Sequence, residues 1–195
     1  MLQDDIRQIF AATAEAQRQF VAHHADVLAR VITVTTEALR HRQTLFFFGN
    51  GGSAADAQHL AAEFTNRYLL ERPPLPAIAL TTDTSALTSI ANDFGYDQIF
   101  SKQLDALARP GDVAFAISTS GNAPNVLRAV EVCRARRVAV VAITGGTGGE
   151  LAQVADHVLC VDATRITPRI QETHSVIGHV LCELVERELA GPGGA

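Results

Sequence analysis

His59 and Glu63 stand four residues apart in "SAADAQHLAAEFTNRY" (53–68). On a helix that spacing puts both side chains on one face, one turn apart. An imidazole and a carboxylate so placed can point at one ion or one substrate carbon, or simply form a solvated pair. A second set lies in "RIQETHSVIGHVLCELVERE" (169–188), which carries Gln171, Glu172, His174, His179 and Glu183. There Ile170, Val176, Ile177, Val180, Leu181 and Leu184 make a broad apolar helix face. Gln171 and His179 fall two turns apart on roughly one side, close to the core, although a helix of this length always has polar neighbours.

Two further stretches join glycine to hydroxyls. "FFFGNGGSAADAQ" (46–58) runs through Gly49, Asn50, Gly51, Gly52 and Ser53 into an alanine-rich helix. "ISTSGNAPNV" (117–126) passes Ser118, Thr119, Ser120 and Gly121 before Pro124, a natural first helical residue. A strand that delivers flexible backbone to a helix N-terminus offers free N–H groups and the positive end of the helix dipole to an anion. Gly49, Gly51 and Ala54 also satisfy the dinucleotide pattern G-x-G-x-x-A. That pattern wants an acid about 20 residues on, whereas Asp83 is nearer thirty away in a Thr/Ser-rich loop. No G-K-S/T follows, which removes the P-loop NTPases. Two such turns on one sheet edge suit a single phosphate; because Ser and Asn are common helix caps, capping alone is the competing reading.

The elements that must position these residues follow from the hydrophobic pattern. Residues 3–40 place Ile6, Ile9, Phe10, Val27, Leu28, Val31 and Ile32 at helical spacing, which predicts an N-terminal pair of helices broken near His23-His24. From residue 44 strands and helices alternate, with strands expected at 44–48, 77–81, 112–117, 137–143 and 157–161. Helices are expected at 53–67, 84–91, 97–107, 123–135, 148–154 and 168–190. Strands that are apolar throughout belong to a parallel sheet covered on both faces. The fold class is therefore α/β, a doubly wound parallel five-stranded sheet flanked by helices. In such sheets ligands bind beyond the carboxyl ends of strands, where "GNGGS", "TTDTS", "STSGN" and "TGGTGG" all lie. We expect one domain over 1–195: the helical pair at 1–40, the sandwich at 41–190 and a tail, "GPGGA", at 191–195.

Composition narrows the function. Of 195 residues, 47% are hydrophobic and 19% charged, too rich in aliphatic side chains for disorder. The apolar runs are of strand length, well below a membrane span. The acidic start "MLQDDIRQIF" is unlike a signal peptide, so a cytoplasmic protein is expected. A formal charge of −5 without basic runs argues against a nucleic-acid surface. Cys133, Cys160 and Cys182 form no C-x-x-C pair and read as reduced core residues.

Together, "GNGGSAADAQHLAAEFTNRY", "ERPPLPAIAL", "ANDFGYDQIFSKQ", "ISTSGN" and "RIQETHSVIGH" carry a resemblance through nearly the whole chain. The sequence resembles the SIS (sugar isomerase) domain family and, within it, the phosphoheptose isomerases. The resemblance implies conversion of sedoheptulose 7-phosphate to D-glycero-D-manno-heptose 7-phosphate, the first step of nucleotide-activated heptose biosynthesis. It implies that Asn50, Gly51, Gly52, Ser53, Ser118, Thr119 and Ser120 grip the phosphosugar, with Asn92 and Asp93 as a third contact and Arg67 helping with the phosphate. Glu63 and Gln171 are also implied at the substrate. A zinc ion, one per subunit, maps onto His59, Glu63, Gln171 and His179. The implied assembly is a homotetramer, in which a neighbour could complete the site at Gln171 and His179.

Two positions depart from the family's usual pattern. Ala123 stands where a Ser often follows "STSGN", and Pro168 stands where an Asp commonly precedes Arg-Ile-Gln. A SIS relative that binds the bacterial replication initiator shares the fold but lacks the full metal set; Glu63 and His179 are both present here, which favours an enzyme over a phosphosugar-binding regulator or an initiator-binding protein. Isomerisation through an enediolate needs a base and an acid, for which Glu63 and His179 are the candidates. A metal-bound carboxylate is a poorer base and a metal-bound imidazole nitrogen carries no proton to give, so the ligand and acid/base roles are alternatives.

Overall fold

The computed structural model describes residues 1–191; apart from Gly191, the expected tail at 191–195 lies outside the described residues. Helix α1 is Leu2–Arg40. The expected pair is thus one continuous helix of 39 residues. Neither Gly nor Pro occurs in it to break the hydrogen-bond ladder, and His24 stays helical with its ring stacked 5.2 Å from Phe20. At 1.5 Å per residue α1 is about 58 Å long. Thr13 already touches the last helix, donating its hydroxyl to Glu172 at 2.6 Å. The turns before it leave Leu2, Ile6, Ile9 and Phe10 exposed.

Five strands follow the expected order: β1 Leu45–Gly49, β2 Ala77–Ala79, β3 Val113–Ser118, β4 Ala139–Gly145 and β5 His157–Val161. All pairings are parallel, in the order β2-β1-β3-β4-β5. The intervening helices are α2 Gly52–Thr65, α3 Thr84–Phe94, α4 Ser101–Leu107, α5 Pro124–Arg136, α6 Leu151–Val154 and α7 Thr167–Ala190, with a 3₁₀ turn at Tyr96–Gln98. Pro168 enters the first turn of α7, where a missing N–H costs nothing. Asp83, too distant for a dinucleotide acid, instead caps α3 by accepting from Ala86 N at 2.9 Å.

The three consecutive phenylalanines show why the strands read as unbroken apolar runs. Phe47 packs on one face with Phe64 and Phe115, its ring 4.7 Å from Phe115, among the α1, α2 and α7 residues. Phe46 and Phe48 bury into the other face, where Phe48 meets Phe100. Chain order reverses at β1, which lies between β2 and β3. Gly49 pairs with Ile117 across the β1–β3 ladder, so the two hydroxyl-rich turns leave the sheet side by side at the switch point where such folds bind ligands.

Candidate active site

The first part of the site is main chain. Gly51 caps α2 at φ 57°, ψ −122°, a conformation an L side chain adopts only under strain. Ser53 N donates to Asn50 O at 3.0 Å, closing the turn. In the neighbouring turn Ser118 Oγ accepts from Gly121 N at 3.2 Å, and Ser120 Oγ accepts from Asn122 N at 3.3 Å. Helix α5 has Ala123 at its N-cap and no side-chain cap. Capping by the turn's own hydroxyls is therefore confined to the loop, and the helix N-terminus keeps its affinity for an anion. The turn packs against a third loop: Leu151 N donates to Gly121 O at 2.9 Å and Glu150 N to Asn122 Oδ1 at 2.9 Å. Between them a crevice of about 290 Å³ is lined by Thr119, Ser120, Gly146, Thr147, Arg165 and Thr167.

The two turns are joined by Asn50, expected at the ligand, and by Asn125, which the sequence gives no reason to single out. Asn50 and Asn125 form a reciprocal amide pair, each Nδ2 donating to the other's Oδ1 at 2.8 Å. The Tyr96 hydroxyl donates to Asn50 Oδ1 at 3.1 Å. Asn92 and Asp93 lie exposed near the end of α3 and bond to each other at 2.8 Å. Their segment reaches the glycine turn through Tyr96.

The second part of the site is side chain, farther along α2. His59 and His179 meet across α2 and α7 with Nε2 atoms 2.8 Å apart and rings edge-on at 78°. Glu63 Oε1 is 3.6 Å from His59 Nδ1, on the opposite edge of that ring. Tyr68 stacks on His179 with centroids 5.8 Å apart. The helices approach closely because Gly178 has no side chain: a Cβ there would stand 2.5 Å from Leu60 Cδ2. Ser175 Oγ donates to Asp56 Oδ1 at 2.9 Å and ties the same helices nearer the turn. His174 is buried and anchors α7 to β4 through Nε2 and Thr144 O at 2.9 Å; burial pushes its pKa down.

Not every expected residue joins this cluster. Gln171 lies against Gly52 at the start of α2, where a Cβ on the glycine would overlap its amide. It is eight residues from His179 along α7, about 12 Å of helix rise. Arg67 follows the end of α2 and pairs with Glu71 at 3.0 Å on the surface. Helix rise puts it on the order of 20 Å from the glycine turn of its own chain. Among the described residues no group of three or more His, Cys, Asp and Glu side chains is placed to hold a metal ion. The donors that do converge fit zinc chemically: two imidazole nitrogens face each other, and tetrahedral ligation needs them only slightly farther apart, roughly 3.3 Å for Zn–N of about 2.05 Å. The His59–His179 meeting needs no neighbouring subunit.

A buried staple holds the segment that carries Tyr68. Glu186 is 2% exposed and accepts from the backbone N–H groups of Tyr68, Leu69 and Leu70 and from Arg72 Nε, at 2.7–3.1 Å. Burial pushes its carboxyl up, but the three N–H donors and the Arg72 guanidinium outweigh it and hold the pKa below the usual carboxylate range. Arg72 also donates to Glu63 O at 2.8 Å and Phe64 O at 3.0 Å, closing the C-terminal end of α2. An acid near the end of a charged helix gives no hint of this in sequence.

Residues 8–145 match the family model described as SIS domain. The phosphoheptose isomerase of Rhodospirillum rubrum is 50% identical over 188 residues, 96% of this chain and 99% of that protein. The phosphoheptose isomerase of Nitratidesulfovibrio vulgaris strain Hildenborough is 55% identical over 161 residues, 83% of this chain and 76% of that protein. Among solved structures, the phosphoheptose isomerase from Neisseria gonorrhoeae aligns with a TM-score of 0.89 at 41% identity, covering 95% of this chain and 99% of that one. The phosphoheptose isomerase from Francisella tularensis aligns at 0.90 and 34% identity, covering 95% and 98%.

Proposed function

The chain belongs to the SIS-domain family and, within it, to the phosphoheptose isomerases, and from that premise we propose that it converts sedoheptulose 7-phosphate to D-glycero-D-manno-heptose 7-phosphate. This is the first step of nucleotide-activated heptose biosynthesis. One observation carries the assignment of parts: α2 runs from the paired turns to the imidazole pair. His59 is seven residues beyond Gly52, about 10 Å of helix rise. An extended heptose 7-phosphate, with carbon–carbon bonds of about 1.5 Å, separates its phosphorus from C1 by a similar 9–10 Å. Phosphate in the turns would therefore bring the reacting carbons to the level of His59 and His179, with Glu63 one helical turn farther on.

On this reading Asn50 to Ser53 and Ser118 to Ser120 hold the phosphate. Gln171, Asn92 and Asp93 take sugar hydroxyls. The Glu63 carboxylate removes a proton from C1, leaving an enediolate, and returns it at C2. His179 moves the proton between the C1 and C2 oxygens. A zinc ion held by the facing Nε2 atoms of His59 and His179 would polarise the carbonyl and offset the oxyanion charge; the further ligands that the resemblance implies, Glu63 and Gln171, would have to move to join it, since Glu63 lies at the Nδ1 edge of His59 and Gln171 beside Gly52. A residue bound to the metal cannot take or give the proton at the same moment, so each of Glu63 and His179 serves as ligand or as acid/base group at any one step. Remote phosphate binding contributes positioning, worth several kcal/mol when it fixes the reacting geometry.

We also propose that the chain assembles as a homotetramer through α1, whose exposed Leu2, Ile6, Ile9 and Phe10 offer an apolar strip to another copy. A cytoplasmic location suits its three free, buried cysteines. The deciding experiment is turnover of sedoheptulose 7-phosphate by purified protein with and without a zinc chelator. Turnover that chelation abolishes and zinc restores is expected. Stabilisation by the sugar phosphate without turnover would instead make the chain a binding module.

A further inference from the structure

Asn125 is 2% exposed and spends both ends of its amide on one partner, Asn50. It sits in the first turn of α5, directly after Pro124, whereas Asn50 belongs to the turn after β1. Asn50 in turn carries the backbone of its own loop, because its carbonyl accepts Ser53 N at 3.0 Å. The reciprocal pair therefore crosses from one ligand turn to the other with no free polar atom left pointing at solvent from the buried partner. We propose that Asn125 is a positioning residue: it fixes the Asn50–Ser53 turn against the N-terminus of α5, so that two separate loops act as one phosphate cradle. The proposal rests on the phosphosugar reading only for what the cradle holds; the tie itself is a property of the unliganded protein.

The chemistry of the pair dictates the test. A carboxylate in place of the Asn125 amide still accepts from Asn50 Nδ2 but cannot donate to Asn50 Oδ1, and it sets two acceptor oxygens facing each other. Once protonated, a carboxyl group regains the donor and restores a two-bond ring. Burial and the facing Asn50 oxygen should raise a carboxyl at this position well above the free value of about 3.9, so Asn125→Asp should lose the tie at pH 8 and regain it at about pH 5.5, whereas Asn125→Ala should lose it at both. Amide hydrogen exchange without ligand, each variant compared with wild type at the same pH, reads the tie directly. At pH 8, the amides of residues 50–54 and 119–123 of Asn125→Asp should exchange at least tenfold faster than wild type, with the β3–β4 ladder unchanged. In steady-state kinetics the same variant should show KM raised at least tenfold at pH 8 and kcat within about threefold, the KM ratio to wild type falling on acidification. Should Asn125→Asp fail to fold, Asn50→Asp breaks the same ring from its half-exposed side and is read by the same exchange experiment. Wild-type exchange rates in the Asp variants at pH 8, or a defect in Asn125→Asp equal at both pH values, would overturn the proposal. A pH-reversible exchange defect in a protein that does not turn over the sugar phosphate would leave the tie standing and refute the activity instead.

Discussion

At the N-terminal end of α2 the site is made of main chain, and two to three turns farther on it is made of side chains. The glycine turn is held by strand register, by a backbone conformation open to glycine and by amide pairs between loops. The His59, Glu63 and His179 cluster is held by nothing local. It exists because α2 and α7, whose cores lie more than a hundred residues apart in sequence, pack closely at Gly178 and Leu60. The difference assigns tasks: fixed dipoles suit a constant anion, and titratable groups suit a reaction in which protons move. Changes at the two ends should therefore separate kcat from KM.

The largest effect should come from Glu63→Gln, which keeps shape but removes the base. We expect kcat to fall about 100- to 10,000-fold with KM little changed; single-turnover assays with sedoheptulose 7-phosphate check this, and near-normal kcat would return Glu63 to the status of an ordinary surface acid. Gly178→Ala should come next. Its methyl group meets Leu60, pushes α7 from α2 and lowers kcat on the order of tenfold to a hundredfold, although alanine is the better helix former by about 1 kcal/mol. Adding Leu60→Val to the same chain should restore part of the loss. Gly51→Ala strains a backbone that glycine alone holds comfortably, at a cost of order 1–3 kcal/mol. We expect that cost as a KM rise of roughly tenfold, and a fall confined to kcat would break the division of labour. Smallest should be Ala123→Ser, which gives α5 the cap hydroxyl it lacks. Thermal unfolding should show about 0.5–1 kcal/mol of added stability, with kcat unaltered.

The same contrast explains what the sequence made legible. The turn end is written in consecutive residues, so "GNGGS" and "STSGN" led directly to two strand-to-helix turns on one sheet edge. The strands were legible because burial on both faces leaves no polar position, as Phe46, Phe47 and Phe48 show. By spacing alone His59 and Glu63 were legible as a pair; their site came only from the family resemblance, because nothing local says that His179 faces them. Asn125, Tyr68 and Glu186 carried no signal at all: a second asparagine in a loop and an acid late in a charged helix are common, and their roles come from partners supplied by tertiary packing. The expected break in α1 failed for the opposite reason. Two adjacent histidines are weak helix formers, and with no Pro or Gly nearby the packing of the helix overrides them.

Helix α2 is one unbroken rod joining the two ends, and this makes it a ruler. A rod that fixes where phosphate sits and where protons move also fixes the number of carbons between them. A hexose 6-phosphate seated in the same turns falls one carbon, about 1.3 Å, short of the level of His59, and a pentose 5-phosphate falls short by twice that. Selection among sugar phosphates would then depend less on which hydroxyls they display than on their length.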